Sequence, residues 1–410
     1  MKRFTLVALA LFTSFVFTNA LFAQGAYAPL IQKETVSVVR VNLDNVDSTK
    51  ISSTIQTVGS AAVDYFVADS ETATNAKQTI PLVGIIAAQF FGTNVQPIKD
   101  AGVGEFFFVV DQPEDASKTL YPYVAFPVNG LSDAQKKDLR SAIGEINKQI
   151  PEESELTLKY RFEREGFLFV LIVPSSVSTD EVKAYMKERF TKIASVDKEE
   201  FVNGFKAIDS GAFVSGVTLN AQNEELTKSQ LEKVFSQFEE NPALAEYADT
   251  LKETSLRFNE ISKSLMEKVQ YNYWYVSLDK LEIVSNIQAN SADDAKAYVD
   301  AVKDVLLPEL NKTLDAVLES TLTSAEDKVA DDEKELAQTC MEKVKTLVDV
   351  FVQYSIEDSV VSWKMNEKFW VDNKPVFDEI VQFVQEEILP KFTSDEDDDE
   401  ENLDDDFEAL

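Results

Sequence analysis

One order of elements runs twice through this chain, and that constrains its fold more than anything else in it. Val36 to Leu43 is rich in β-branched residues and reads as a strand. Asp44 to Ser48 supplies turn and cap residues. Ile51, Ile55, Val58, Ala62 and Tyr65 then mark one helical stripe, and a second helical stretch covers about 76–91. Strands follow at 105–110 and 121–126, and Ser132 caps a helix through Asn147. Segments 156–162 and 167–173 form a hairpin around Glu165-Gly166, and Thr179 opens a helix ending near Ala194. The sequence then starts again. Residues 213–220 are the strand; Leu231, Val234, Phe235 and Phe238 are the stripe. Asn241-Pro242 breaks into a helix carrying Leu244, Leu251, Phe258 and Leu265. Strands at 271–276 and 281–289 precede a long helix from Ser291 and another over about 325–352. Strands at 353–356 and 359–365 form a hairpin around Glu357-Asp358, and a helix over 369–389 completes the second pass.

The expected fold class is α+β in two similar halves, 36–197 and 198–392, joined by a duplication. Val41-x-Leu43-Asp44 matches Val217-x-Leu219-Asn220, and Ser132-Asp133-Ala134 matches Asp293-Asp294-Ala295. A duplicated chain would set its antiparallel sheets side by side or merge them about a pseudo-twofold axis. Helices would cover one face, leaving the Tyr/Phe-rich face for the partner half or for solvent.

The N-terminus carries a different message. Lys2 and Arg3 precede an apolar run from Phe4 to Phe17, and Thr18 to Ala23 turns toward small and polar residues. This is the form of a secretory signal peptide over 1–23, cut after Ala23. The run is short of the roughly 20 residues that span a bilayer. Residues 24–35 then lead into the fold. The expected product is secreted or periplasmic, with no stable membrane insertion after the signal is removed.

Composition removes much chemistry. There is no histidine, so Ser-His-Asp catalysis, histidine-ligated metal and a histidine pH switch are all excluded within this chain. A single cysteine, Cys340, allows neither an internal disulfide nor a Cys₄ site. It falls on the apolar stripe of Leu336, Val344, Leu347, Val348 and Phe351, where an inert thiol is expected. The formal net charge is −33, which disfavours nucleic acid and anionic membrane as partners. Residues 394–410 hold 11 acids and no Lys or Arg, so 393–410 reads as a disordered acidic tail able to bind divalent cations weakly. Asp395, Asp397 and Asp399 start like an EF-hand loop, but Glu400 stands where that loop needs glycine.

No catalytic, cofactor-binding or metal-binding residue is nominated, and no cofactor is expected. Ser195–Lys198 and Ser277–Lys280 match Ser-x-x-Lys without the motif's companions. A histidine-free hydrolase would need two carboxylates across a cleft. Glu105 opens an apolar strand and Glu282 lies in another; both are expected at a strand end or facing solvent. Asn311-Lys312-Thr313 is a glycosylation sequon only in a eukaryotic secretory pathway. Alternation puts Tyr271, Tyr273 and Tyr275 on one face of a strand and Trp274 on the other. Such a row either packs a sheet or, if exposed, stacks on sugar rings or grips a peptide.

Three features together, the signal peptide, the strand Val38 to Leu43 and the run Ala292-Asp293-Asp294-Ala295-Lys296-Ala297 after a late strand, resemble secreted, internally duplicated α+β proteins of planctomycete-type bacteria. The resemblance implies the same two-part architecture and carries no site residues. The sequence thus points to an exported, acidic, non-enzymatic binding or interaction protein of the cell envelope or extracellular space. The alternatives are the carboxylate hydrolase and a cation-buffering envelope protein.

Overall fold

The computed structural model describes residues 30–46, 48–66, 80–81, 85, 88–89, 91–112, 119–150, 156–164, 166–191, 196, 198–220, 248–324 and 331–388. The signal segment, its Ala23 cleavage point and the acidic tail lie outside these. The chain is α+β, with helices packed on an antiparallel sheet. The described strands are β1 (Thr35–Asn42), β2 (Glu105–Asp111), β3 (Tyr123–Pro127), β4 (Leu156–Arg164), β5 (Phe167–Pro174), β6 (Val214–Leu219), β7 (Val269–Ser277), β8 (Glu282–Ala289), β9 (Ser355–Glu357) and β10 (Val360–Met365). All ten lie in one sheet, in the order β4-β5-β3-β2-β1-β6-β7-β8-β10-β9. Outward from β1 the order is β1-β2-β3-β5-β4; outward from β6 it is β6-β7-β8-β10-β9. The two sets meet where β1 pairs antiparallel with β6, with Val39 opposite Gly216.

The described helices are α1 (Ser48–Phe66), the short α2 (Gln96–Asp100), α3 (Asp133–Lys148), α4 (Thr179–Thr191), α5 (Glu199–Ala207), α6 (Ala248–Met266), α7 (Ala292–Ala301), α8 (Leu307–Ser324), α9 (Asp331–Phe351) and α10 (Glu367–Phe383). Local chemistry sets their ends. Ser132 and Gln135 form a reciprocal capping box on α3, and Ser291 accepts from the Asp294 N–H at the start of α7. A π turn, Val302–Leu306, joins α7 to α8 just before Pro308, which brings no N–H to the helical ladder. The β4–β5 hairpin turns through Gly166 at φ +84, a conformation glycine adopts without strain.

Chain contacts divide the molecule into two units that interleave in sequence. The first holds residues 1–54, 84–308 and 354–366, and therefore the whole sheet. The second holds residues 55–83, 309–353 and 367–410, and its described elements are helical. Within it the Phe369 ring lies 5.8 Å from Phe351 and 6.4 Å from Phe377, and Lys345 reaches Asp315 at 2.6 Å.

Helices cover both faces of the sheet in the first unit, not one as the sequence suggested. On one face, Val38, Phe107, Val109, Tyr123, Phe169 and Leu171 bury against Val182, Met186 and Phe190 of α4 and Phe201 and Phe205 of α5. On the other, Phe126, Leu168 and Val170 bury against Leu139, Ala142 and Ile143 of α3. The one-face expectation fails because β5 is apolar on both sides, and one-sided cover would leave half of it in water.

Helix α5 sits close to β6 and β7 because Gly204 lets it. A Cβ there would stand 2.6 Å from a Val217 methyl and 3.3 Å from the Tyr271 ring. Gly204→Ala is expected to destabilise the fold by about 1–3 kcal/mol, the usual cost of overpacking. Urea denaturation would show it as a lower midpoint at unchanged slope.

Candidate functional site

Facing residues of paired strands share a face, so the register reads as rows across the sheet. One row runs Leu171, Tyr123, Val109, Val38, Val217, Tyr273, Asn286, Ser362. The next runs Phe169, Ala125, Phe107, Arg40, Ser215, Tyr275, Val284, Lys364. Both start apolar; past β1, polar groups enter the first row at Tyr273 on β7, and in the second they enter at Arg40 on β1. The first strands of the chain thus build the core of this face, and the later strands present hydrogen-bonding groups on it.

The three tyrosines stand where apolar gives way to polar. Tyr271 and Tyr273 are 6% and 9% exposed and belong to the core, their rings 6.1 Å apart. Trp274 occupies the opposite face, as alternation requires. Tyr275 is only partly buried, and its hydroxyl donates to Glu282 Oε1 at 3.4 Å. Burial first, then the Glu282 and Asp209 charges, push its phenol up to about 12. Burial, then Tyr273 and Glu200, likewise push Tyr271 up to about 12.

Glu282 opens β8, at the strand end that the sequence allowed, but it is 6% exposed rather than facing solvent. Lys364 on β10 supplies the reason, closing on Glu282 Oε2 at 2.5 Å while 44% of the lysine side chain stays in solvent. A buried carboxylate needs such a partner. Asp209, in the turn before β6, is paired with Lys280 in the β7–β8 turn and accepts from the Gly211 N–H at 2.7 Å. The lysine hydrogen bond, then that backbone bond, hold the Asp209 carboxyl below its usual range. Glu105, half-buried, bonds Arg40 at 2.5 Å, and Lys50 reaches Asp279 at 3.1 Å. One end of the central strands therefore carries alternating acid–base pairs around a partly open tyrosine.

The remaining sequence motifs fall elsewhere. Lys280 pairs its ammonium with Asp209, and its backbone N–H donates to Ser277 Oγ at 3.3 Å, so Ser277–Lys280 makes a turn. Lys198 donates to the carbonyls of Lys33 and Thr35, both at 2.8 Å; Ser195 lies outside the described residues. Asn311-Lys312-Thr313 is inside α8, with the Thr313 hydroxyl on the Glu309 carbonyl. Cys340 is half-buried on α9, and burial pushes its thiol up. Among the described residues, no group of acids is arranged to hold a metal ion, and no helix is long and apolar enough to cross a membrane.

A second charged node lies at the far end of β1. Arg189 of α4 bridges Asp111 Oδ2 at 2.5 Å and Glu34 Oε2 at 2.9 Å, and the Thr35 hydroxyl donates to Asp111 Oδ1 at 2.8 Å. For Glu34, burial favours the neutral acid, but its own backbone N–H and then Arg189 outweigh that and leave the carboxyl below its usual range. A depressed acid stabilises the fold above its unfolded pKa, and that contribution is lost as pH falls through the folded value. Glu34 and Asp209 both act in this sense. The melting temperature should therefore fall as pH is lowered from about 5 toward 2, and Glu34→Gln should flatten that slope in a thermal-melt series.

No family model, curated protein or solved structure matches this chain.

Proposed function

We infer that the chain is an exported, acidic, non-enzymatic binding protein of the cell envelope or extracellular space, released by cleavage after Ala23. It engages its ligand at the strand ends around Tyr275, with Tyr271 and Tyr273 as the packed floor. The single observation that carries this is the pairing at that end of the sheet. Glu282, Asp209 and Glu105 each rest on their own cation. Carboxylates fixed in place by a cation present hydrogen-bond acceptors at set positions. The partly open Tyr275 ring adds an aromatic platform of the kind that anchors ligands.

The two strand sets, each ordered 1-2-3-5-4 outward from the β1–β6 junction, support an internal duplication of 36–197 and 198–392. On this reading the first copy kept the apolar core and the second took on the ligand surface. The secreted planctomycete-type proteins that the chain resembles would share this plan. The tail over 393–410 acts as a solvating charged segment.

A hydrolase is the second reading, favoured by one observation: Glu282 is buried against a phenol. One experiment separates the two. Mature protein and a Tyr275→Ala variant are used to capture material from the native envelope, and both are incubated with a polysaccharide panel. The binder retains one specific partner that Tyr275→Ala loses, and it turns nothing over. Turnover abolished by Glu282→Gln would replace the binder with the hydrolase.

A further inference from the structure

The charges around Tyr275 narrow the chemistry of what can sit there. The whole chain carries −33. At this end of the sheet, however, Arg40 matches Glu105, Lys50 matches Asp279, Lys280 matches Asp209 and Lys364 matches Glu282. The four pairs sum to zero, so these groups add no net charge to a strongly acidic chain. A polyanion approaching it meets the repulsive field of the rest of the molecule. A polycation finds the carboxylates already taken and has to displace lysines to reach them.

A hydroxyl meets neither obstacle, because it both donates and accepts. The Lys280 and Lys364 side chains are 55% and 44% exposed. Each ammonium has three donors, so it retains capacity beyond its carboxylate. Both oxygens of Glu282 have partners, one Lys364 and the other the Tyr275 hydroxyl, so this acceptor is held at a fixed place. Leu281, 40% exposed, adds apolar surface in the β7–β8 turn. The combination is one aromatic ring, fixed acceptors, spare donors and zero net charge.

Resting on the binding-protein reading above, the geometry points to a neutral polyhydroxylated ligand, a chain of uncharged sugar residues. One ring would lie against Tyr275, with hydroxyls shared between the lysine ammoniums and the paired carboxylates.

The test is isothermal titration calorimetry on the full chain with cellohexaose, maltohexaose and chitohexaose as neutral probes and hexagalacturonate as the acidic one. At least one neutral hexamer is expected to bind, and hexagalacturonate is not. Tyr275→Ala should weaken binding about tenfold, the scale of one lost aromatic contact. Tyr275→Phe, which keeps the ring, should bind within about threefold of the parent, since the lost hydroxyl contributes at most one modest hydrogen bond. A thermal melt of each variant checks that it folds, and Tyr275→Phe keeps the test decisive if Tyr275→Ala does not. Three results would overturn the inference: no heat with any neutral hexamer, affinity indifferent to loss of the ring, or equal binding of hexagalacturonate. If the sugars fail while envelope capture still depends on Tyr275, the ligand class is wrong and the site reading stands. If both fail, both fall.

Discussion

Arg189→Met should destabilise the fold by about 3–5 kcal/mol, the cost of leaving a buried charge without its partner. The Asp111 side chain has no exposed surface, and Arg189 is its only ion-pair partner among the described residues. The Thr35 hydroxyl supplies one further hydrogen bond but no charge. The same guanidinium holds Glu34, so the change also loosens the lead-in from its anchorage on α4. Urea denaturation of the variant would register the loss. Lys183→Ala, which removes an exposed pair with Asp180 on the same helix, should change stability by less than about 0.5 kcal/mol. Adding Asp111→Asn to Arg189→Met should recover part of the loss, because the stranded charge goes with it. Equal effects of Arg189→Met and Lys183→Ala would mean the node does not hold the lead-in as described.

Phe169→Ala should cost a similar amount, about 3–5 kcal/mol. Phe169 is 1% exposed, and its ring centroid lies 4.7 Å from Phe190, 5.6 Å from Tyr123 and 6.0 Å from Phe167. Truncation opens a cavity that rings on three sides cannot collapse into without leaving their rotamers. In the Tyr273 row the equivalent experiment is milder. Asn286→Ala removes a polar contact with the Ser362 hydroxyl at 2.6 Å rather than an aromatic from a packed cluster. A loss of about 1 kcal/mol is expected there. The difference between the two would measure how unevenly the two ends of the sheet are packed.

The strands were legible in the sequence because alternation and β-branching are local signals. All ten segments expected as strands are strands, with shifted ends: 121–126 is Tyr123–Pro127 and 353–356 is Ser355–Glu357. Helix α5 was missed. It has nine residues and two large buried aromatics, Phe201 and Phe205, too few for a period to declare itself. The alternation that sets Tyr271, Tyr273 and Tyr275 on one face was equally plain. Their depth was not, since it depends on which strand lies alongside and on α5 closing over Val217 and Tyr271 through Gly204. The burial of Glu282 was hidden for the same reason. Its partner Lys364 reaches it only because β10 pairs with β8, and nothing local to either residue announces that. Cover on both faces was also misjudged, although the unbroken apolar run of β5 carried the clue.

The first described residues already belong to the core. Leu30 and Ile31 are 1% and 3% exposed, and the Tyr123 hydroxyl and Val196 N–H bind their carbonyls. Removing Leu30 and Ile31 would take two buried side chains out of the core.

Export is what the binding account most depends on, and peptide mass spectrometry of fractionated cells tests it directly. The account predicts a chain whose first residue is Gln24, recovered outside the cytoplasm. An intact chain starting at Met1 and confined to the cytosol would contradict it.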